Sequence, residues 1–383
     1  ASMTLRLMQA AMLLVLAACG AAPTQSSAQP GGGGPPFRVT EVALFDAPWA
    51  MDFLPGSGVR LTGMALVTDK SGTLWLVDVA TGGRRRVHGV PAVKVAGQGG
   101  LGDVVAHPDF AANRRVYLSY VEAGPNGTSG AAVGYGTLAL GKGQPRLDGF
   151  RVIWRQTPKV GGDGHFSHRI AFAPDGTMFI SSGDRQKMEP AQDPNSDLGK
   201  IIHLTAEGRT APGGPWVGWG ERLASYWTMG HRNVLGLAFA PDGRLWATEM
   251  GPQGGDELNL IVRGKNYGWP RASYGSHYGG GPIPDEHASR GFEEPKVWWT
   301  PSVSPGSLLI YTGDLFPEWK GDALIGALSG EAFIRVDIDG DRARKADHWP
   351  MGARIRAVDQ GPRGEVYLLE DGGRLLRLEP ARR

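Results

Sequence analysis

Two histidines lie in a glycine-rich segment that precedes a stretch of β-forming residues. The segment reads GGDGHFSHRIAFAPDG from position 161 and contains His165 and His168. An imidazole titrates near neutrality, so a loop histidine facing a ligand cavity can act as a general base. A solvated or hydrogen-bonded loop histidine is the simpler interpretation of the segment taken alone. Asp163 with both histidines could instead begin a metal site, although zinc or iron would need further ligands from elsewhere.

Fixed hydrogen-bond donors occur at two other places in the chain. Arg232 and Asn233 are adjacent, and Arg354 and Arg356 are separated by one residue. Strand side chains alternate between faces, so Arg354 and Arg356 would share one face of an extended segment. Such groups suit the carboxylate or carbonyl oxygens of a ligand, and together they predict an anion-binding cluster. A solvated or salt-bridged surface arginine is the alternative at each place.

The segment from Glu249 to Glu257, EMGPQGGDE, is rich in carboxylates and backbone carbonyls. Such oxygen ligands suit a hard cation such as calcium, and an ordinary acidic turn is the competing interpretation. A second glycine-rich segment, Gly97–Gly102, has the spacing G-x-G-x-x-G of a dinucleotide-binding turn. The chain continues as DVVAHPDF, with β-forming residues and a proline turn in place of a helix. The dinucleotide-binding interpretation is therefore rejected.

A pattern that recurs six times indicates which elements position these segments. Each copy joins a turn containing Gly with Asp, Ser or Asn to a short run of β-forming residues, as in a hairpin. The turns are centred on Gly72, Asn113, Gly176, Gly243, Gly321 and Gly364. The shortest spacings match a propeller blade of roughly 40–50 residues, and longer ones would carry loop insertions. The sequence thus predicts an all-β, six-bladed β-propeller of four-stranded antiparallel blades, with a sandwich array or two β-domains as the alternative.

Composition agrees with one large all-β domain. The chain has 383 residues, 59 of them glycine, which supplies the positive φ angles that tight turns need. The 40 Lys and Arg residues balance 38 Asp and Glu, so nucleic-acid binding has no support. One cysteine excludes an internal disulfide and a multi-cysteine zinc site. Helices should be few, although residues 194–203 could hold a turn or two.

The N-terminal residues predict export and lipidation. Arg6 precedes an apolar run of signal-peptide length that ends in LAAC at Cys19, which resembles a bacterial lipobox. An ordinary secretory signal with a chance cysteine is the alternative. Residues 1–19 are predicted as a cloning remnant plus signal peptide, 20–36 as a flexible tether, and 37–383 as a single catalytic propeller. This organisation predicts a bacterial periplasmic protein with a lipid anchor at Cys19, and Gly20 favours the outer membrane.

Taken in order, these segments resemble the soluble aldose sugar dehydrogenases that use pyrroloquinoline quinone (PQQ). The resemblance runs from Asp46 to Pro380 and is strongest in GQGGLGDVVAHPDF, the His165 loop with RIAFAPDG, GHRN before GLAFAPDG, EMGPQGGDELNLI with GKNYGWP, and RIRAVDQGPRGEVYLLED. It implies a six-bladed propeller that oxidises the anomeric carbon of an aldose to a lactone, with PQQ and Ca2+ as cofactors. The electron acceptor is not identified by the sequence, and a monomer and a dimer are both compatible with it.

The resemblance also implies roles for individual side chains. His165 would be the general base that removes the anomeric hydroxyl proton, and Arg232 would stabilise charge at the reacting quinone carbonyl. PQQ carries three carboxylates, which explains why an arginine cluster is expected in such a site. The side chains implied in holding PQQ are Gln98, Arg232, Asn233, Arg354 and Arg356.

Two calcium sites follow from the same resemblance. The backbone carbonyls of Gly251 and Pro252 would bind the calcium beneath the cofactor, where the ion acts as a Lewis acid. Glu257 and the carbonyl of Tyr267 fall where some family members bind a second, structural calcium. Both sites use the oxygen ligands that calcium prefers.

Two positions depart from the family pattern. Gly164 stands where members usually carry Asp or Asn, and Ser329 stands where relatives commonly carry a lysine that pairs with the cofactor. Losing a cation from an anion-binding site would weaken cofactor binding, since charged hydrogen bonds are each worth about 1.5–3 kcal/mol. These departures keep two rival functions open. One is a non-catalytic carbohydrate- or protein-binding propeller lipoprotein, and the other is a metal-dependent, lactonase-like propeller that uses His165, His168 and Asp163 without a quinone.

Overall fold

The computed structural model describes residues 34–56 and 61–381 and consists mainly of strands, twenty-four in all, in six antiparallel sheets of four. The first blade contains β2 to β5, at Pro48–Phe53, Met64–Asp69, Thr73–Asp78 and Arg84–Val87. The second contains β6 to β9, at Leu101–Ala106, Arg115–Ala123, Ser129–Ala139 and Arg146–Arg155. The third contains β10 to β13, at Ser167–Phe172, Met178–Ser182, Lys200–Leu204 and Tyr226–Met229.

The remaining three blades complete the ring. The fourth contains β14 to β17, at Asn233–Phe239, Leu245–Met250, Asp256–Ile261 and Val297–Trp299. The fifth contains β18 to β21, at Pro305–Ile310, Ala323–Ala327, Ala332–Asp339 and Arg342–Pro350. The sixth contains β22 to β24 and β1, at Ile355–Gln360, Val366–Glu370, Arg374–Pro380 and Phe37–Leu44. The predicted six-bladed β-propeller is therefore confirmed.

The first strand of each blade lies innermost and packs beside the first strand of the next blade. The ring closes because β1 pairs antiparallel with β24, with Phe37 opposite Pro380. The core lies between blades: Leu66 and Leu74 of the first blade pack with Val116 and Leu118 of the second, all fully buried. β11 is buried throughout, and three of its five residues are the apolar Met, Phe and Ile.

Helices are short and few among the residues that the structure describes. They comprise α1 at Phe110–Asn113, α2 at Glu221–Ala224, and 3-10 turns at Pro125–Gly127, Glu189–Gln192, Ala288–Arg290 and Pro317–Trp319. The helical turn predicted within residues 194–203 is wrong, because residues 200–204 form β12. Ile201 and Ile202 are fully buried in that strand, which pairs with β11 on one side and β13 on the other.

The six repeated turns do not all occupy the same place in a blade. Asn113 and the last four glycine turns each connect the first and second strands of a blade, whereas Gly72 connects the second and third. The local chemistry is the same in both places. Asp69 accepts hydrogen bonds from the backbone and hydroxyl of Ser71, as Asp175 does from Thr177. The first copy is thus displaced by one strand, while the number of blades is as predicted.

The predicted signal peptide, Cys19 and tether fall at residues 1–36, of which the structure describes 34–36. The lipid anchor and the division of the chain at residue 37 therefore stay predictions. Within the described ranges, no helix has the length and apolar character needed to cross a membrane.

Candidate active site

The antiparallel pairing within each blade places the predicted residues on one face of the ring. The start of a blade's first strand lies opposite the end of its second strand. Three such pairs are Ser167 with Ser182, Asn233 with Met250, and Ile355 with Glu370. Residues just before a first strand and just after a second strand consequently meet at the same rim, around the central axis.

Two adjoining cavities at this rim form one cleft. They share Gln98 and Asn233 in their walls. One cavity, of about 740 Å³, is lined by His165, Arg232, Gly251 and Pro252 among others, and we call it the histidine end. The other, of about 260 Å³, is lined by Arg354 and Arg356 among others, and we call it the arginine end. The structure thus brings together every predicted site residue except Glu257 and Tyr267.

His165 is held by contacts to both its ring and its backbone. Its Nδ1 lies 2.7 Å from Asp184 Oδ1, and the other oxygen of this buried carboxylate accepts a 2.8 Å hydrogen bond from Trp269 Nε1. Its backbone N–H donates to Gln98 Oε1 at 2.9 Å, and its φ angle is +50°. Non-glycine residues with positive φ cluster at functional sites. A proton on Nδ1, facing the carboxylate, leaves Nε2 of the neutral ring able to accept one.

The residues just before the histidine do not supply this carboxylate. Asp163 is half-exposed and lies 3.5 Å from Lys94 Nζ. Gly164 is tightly packed, because a Cβ at this position would lie 2.6 Å from the side chain of Gln186. The carboxylate that contacts the His165 ring comes instead from Asp184, two residues after the end of β11. No local motif marks Asp184 in the sequence, and only the pairing of β10 with β11 places it across from the histidine.

His168 is a buried packing residue. Its Nδ1 lies 2.5 Å from Ser119 Oγ, and its ring stacks on Trp49 with centroids 5.1 Å apart. A Cβ on Gly102 would come within 2.0 Å of the ring, so only glycine leaves room for it. Burial lowers the pKa of His168 to about 3, which keeps the ring neutral.

The metal site considered for His165, His168 and Asp163 does not form. Their side chains bind a carboxylate, a hydroxyl and an ammonium group in three different places. Across residues 34–56 and 61–381, no group of three or more His, Cys, Asp or Glu is arranged to hold a metal ion. The metal centre of the lactonase-like alternative is therefore wrong.

Arg232 and Asn233 lie where β14 begins. Glu249 Oε2 accepts a 2.7 Å hydrogen bond from the Arg232 backbone, and the guanidinium donates to the Gly251 carbonyl at 2.7 Å and to Tyr278 Oη at 3.2 Å. Asn233 accepts a hydrogen bond from a β10 serine hydroxyl at 2.9 Å. Arg232 Nε is buried and has no hydrogen-bond partner among the described residues. Because Arg232 lines the cleft, this unpaired buried donor on its side chain is compatible with a ligand that carries acceptor oxygens.

The carboxylates of the Glu249–Glu257 loop hold backbone groups in place. Asp256 accepts hydrogen bonds from Gly251 N at 2.7 Å, Val303 N at 2.7 Å and Ser304 N at 2.8 Å. Burial raises the pKa of Asp256, and these three donors oppose the rise. Gly251 and Pro252 of this loop line the cleft, while its acids face the protein.

Glu257 and Tyr267 lie behind the cleft. Both line a separate cavity of about 10 Å³, together with Gly251. Glu257 Oε1 lies 3.7 Å from Nε2 of the fully buried His287, and Oε2 accepts a hydrogen bond from Asn259 at 2.9 Å. Burial raises the pKa of Glu257, and the histidine opposes this. A second calcium at these residues stays a prediction.

Arg354 and Arg356 share one carboxylate at the arginine end. Asp371 lies 3.3 Å from Arg354 Nε and 2.9 Å from Arg356 Nη2, so both side chains lie on one face, as predicted. Although burial opposes it, the two cations lower the pKa of Asp371. Lys70 also lines this end and was not predicted from the sequence. Ser329 Oγ lies 2.6 Å from Ser304 Oγ.

The model of the glucose/sorbosone dehydrogenase family matches residues 45–377. The chain belongs to this family. Aldose sugar dehydrogenase YliI of Escherichia coli (strain K12) is 38% identical over 342 residues, which cover 88% of this chain and 90% of that protein.

Solved structures of other sugar dehydrogenases share the fold of this glucose/sorbosone dehydrogenase family member. The soluble aldose sugar dehydrogenase from Escherichia coli in the apo-form has a TM-score of 0.84 at 37% identity, covering 90% of this chain and 100% of that one. The PQQ-bound form of aldose sugar dehydrogenase from Streptomyces coelicolor has a TM-score of 0.73 at 29% identity, covering 91% and 99%. The family resemblance and the prediction of an oxidoreductase are thus confirmed, and the roles of single residues stay predictions.

Proposed function

We propose that this protein is a PQQ- and calcium-dependent aldose dehydrogenase that oxidises the anomeric carbon to a lactone, with His165 as the general base. One observation carries the proposal: His165, bound to the buried Asp184, faces the same cleft as Arg232 with its unpaired Nε. A base and a donor for developing negative charge are the two groups that oxidation of a hydroxyl carbon requires from a protein. The PQQ-bound relative supports the choice of cofactor.

The residues that line the cleft fit PQQ. The unpaired Arg232 donor suits a carbonyl or carboxylate oxygen, and the arginine end suits the carboxylates of the cofactor. Gly251 and Pro252 line the cleft, and their backbone carbonyls would be the Ca2+ ligands, with the Gly251 carbonyl giving up its hydrogen bond from Arg232 or sharing it with the ion. The side chains that would hold the cofactor are Gln98, Arg232, Asn233, Arg354 and Arg356. When bound, calcium-polarised PQQ would supply the acceptor for the hydride that leaves C1.

The protein's own residues handle the proton. His165 Nε2 takes the proton of the C1 hydroxyl as hydride leaves the same carbon, so that C1 does not develop a full positive charge. Asp184 fixes the ring and stabilises its protonated form, as a carboxylate does for histidine in acyl-transfer enzymes. A positioned base contributes about 10²–10⁴-fold to such a step. Arg232 stabilises negative charge on the acceptor side of the cleft.

We also propose that the protein is attached by lipid at Cys19 on the periplasmic side of a bacterial membrane and passes its electrons to a separate acceptor. The signal-like residues before Cys19 and the tether after it support this location. Cys19→Ala expressed in a bacterial host should move the protein from the membrane fraction to the soluble fraction. Continued membrane association of Cys19→Ala would contradict the anchor.

Dye-linked activity tests the proposed function. Apo-protein reconstituted with PQQ and Ca2+ should reduce an artificial dye in the presence of aldoses, and omission of PQQ should abolish this activity. Cofactor binding without dye reduction across a broad sugar panel would favour the non-catalytic propeller. Hydrolysis of lactones in the absence of PQQ would contradict the proposed quinone-dependent oxidation.

A further inference from the structure

Lys70 lies at a position that carries site residues in other blades. It directly follows β3, the second strand of the first blade, just as Gly251 follows β15 and Asp371 follows β23. The pairing is equivalent too, because Pro48 at the start of β2 lies opposite Asp69 at the end of β3. The architecture that brings the predicted site residues to the rim therefore brings Lys70 there as well.

Backbone contacts hold Lys70 to its own blade and to the second blade. Its N–H donates to the Ala47 carbonyl at 2.8 Å, and its carbonyl accepts from Leu101 N at 3.1 Å. Gly100 permits this approach, because a Cβ there would lie 2.2 Å from the Lys70 carbonyl oxygen. The ammonium group donates to the carbonyl of Gly97, next to the predicted cofactor ligand Gln98. The side chain is half-buried in the wall of the arginine end.

The charge on Lys70 is less compensated than those of the arginines beside it. Arg354 and Arg356 both bind Asp371, whereas the hydrogen bond of Lys70 is to a neutral carbonyl. Burial and the nearby Arg356 lower the pKa of Lys70, and Asp371 partly opposes them. A carboxylate that entered the arginine end would replace the hydration that the Lys70 ammonium group loses through burial. It would also reduce the repulsion between Lys70 and Arg356.

The fifth-blade residue that corresponds to Lys70 is the uncharged Leu328, which directly follows β19 and also lines the arginine end. Ser329 follows the end of β19 by two residues, and its hydroxyl is bonded to that of Ser304. A short hydroxyl side chain cannot replace a lysine as a partner for a carboxylate. The cations of the arginine end are thus contributed by the sixth blade and, through Lys70, by the first.

We propose that Lys70 is a cofactor-binding residue whose ammonium group binds a carboxylate of PQQ at the arginine end of the cleft. This inference rests on the proposed function, because it takes PQQ as the occupant of the cleft. Lys70 acts on binding and takes no part in proton transfer at His165.

Equilibrium binding without substrate tests this role. Apo-protein is titrated with PQQ in saturating Ca2+, and Kd is read from the absorbance change of the cofactor. Lys70→Gln should raise Kd by about 10- to 100-fold, the effect of losing one charged hydrogen bond, and Lys70→Arg should retain most of the affinity. Lys320→Gln is the matched control, since Lys320 is an exposed lysine paired with Asp314 on a turn away from the cleft. Its Kd should equal that of the unchanged protein.

A further variant separates charge from packing. Lys70→Met keeps the aliphatic part of the side chain and should bind PQQ as weakly as Lys70→Gln, with an unchanged Tm. Wild-type Kd in Lys70→Met or Lys70→Gln would overturn the role of Lys70 while leaving the proposed function intact. Failure of the unchanged protein to bind PQQ would overturn both.

Discussion

At the scale of single residues, the orientation of His165 depends on an acid from another strand. Asp184 is fully buried, and its second oxygen is bound by Trp269 Nε1. A carboxylate held in this way selects one ring tautomer and opposes rotation of the ring. Asp184 is therefore a positioning residue for the proposed base.

Asp184→Asn should separate positioning from cofactor binding. We expect kcat for aldose oxidation to fall by about 10²-fold or more, because the amide can hold the wrong tautomer and does not stabilise the protonated ring. The Kd for PQQ should change little. Asp163→Asn is the matched control, since this half-exposed acid is paired with Lys94 and should leave kcat within about twofold. Equal kcat values for the two variants would contradict the assigned role of Asp184.

The site residues that the sequence revealed are those that belong to local motifs. His165 stands in its glycine-rich loop, and the arginines at 354 and 356 are separated by one residue where β22 begins. Asp184 and Lys70 follow second strands, and their relation to the site exists only through strand pairing across a blade. Without the register of the hairpins, an acid 19 residues after the histidine has no distinguishing signal.

At the scale of elements, β6 and β10 pack closely because a histidine ring on one strand lies against a glycine on the other. His168 of β10 occupies the space above Gly102 of β6, and Ser119 of β7 binds the ring. The ring is buried with a pKa of about 3, although an unfolded histidine titrates near 6.5. The unfolded state therefore binds a proton between these values that the folded state does not.

This difference predicts a loss of stability in acid. The part of the free energy of unfolding that His168 contributes is fully present above about pH 6.5 and is lost as the pH falls towards 3. His168→Asn, which keeps a polar atom near the position of Nδ1, should be less stable at pH 7 but show a flatter dependence between pH 7 and 4.5. Chemical denaturation at a series of pH values provides the measurement. If the free energy of unfolding of His168→Asn varied with pH as steeply as that of the unchanged protein, the assigned titration of the ring would be contradicted.

The residues of the repeated turns identify hairpins but do not determine which strands of a blade each hairpin joins. Five of the six turns identified the first hairpin of a blade, but the turn at Gly72 belongs to the second. An Asp with a Ser or Thr two residues later forms the same hydrogen bonds in either hairpin. Turn residues therefore give the number of hairpins, while long-range packing decides which strand of the blade each hairpin contains.

At the scale of the whole molecule, contacts between distant blades fix the ring. Arg169 of the third blade donates to the carbonyls of Leu235 in the fourth and Gly306 in the fifth, at 2.7 and 2.6 Å. Its guanidinium also lies 4.0 Å from the ring centroid of Trp49 in the first blade. The centre beneath the cleft is thus filled by a side chain that binds several blades, which keeps the rim residues at fixed separations.

Because β1 closes the ring, substitutions at two positions of this strand should differ in their effect on the free energy of unfolding. Phe37 is buried against Trp319, Phe333 and Trp349, whereas Val39 on the same strand is 46% exposed. Phe37→Ala should lower the free energy of unfolding by about 3–5 kcal/mol, because it leaves a cavity where the ring closes. Val39→Ala should change it by less than about 0.5 kcal/mol. Similar losses in both variants, measured by denaturant titration, would contradict the closure.

The most direct test of the proposed chemistry is a single turnover without an external acceptor. Protein loaded with PQQ and Ca2+ is mixed with an aldose, and reduction of the bound cofactor is followed by absorbance in wild type and His165→Gln. We expect similar Kd values for PQQ in the two proteins and reduction at least about 10²-fold slower in His165→Gln. Reduction of the variant at the wild-type rate would contradict the role of His165 as the base.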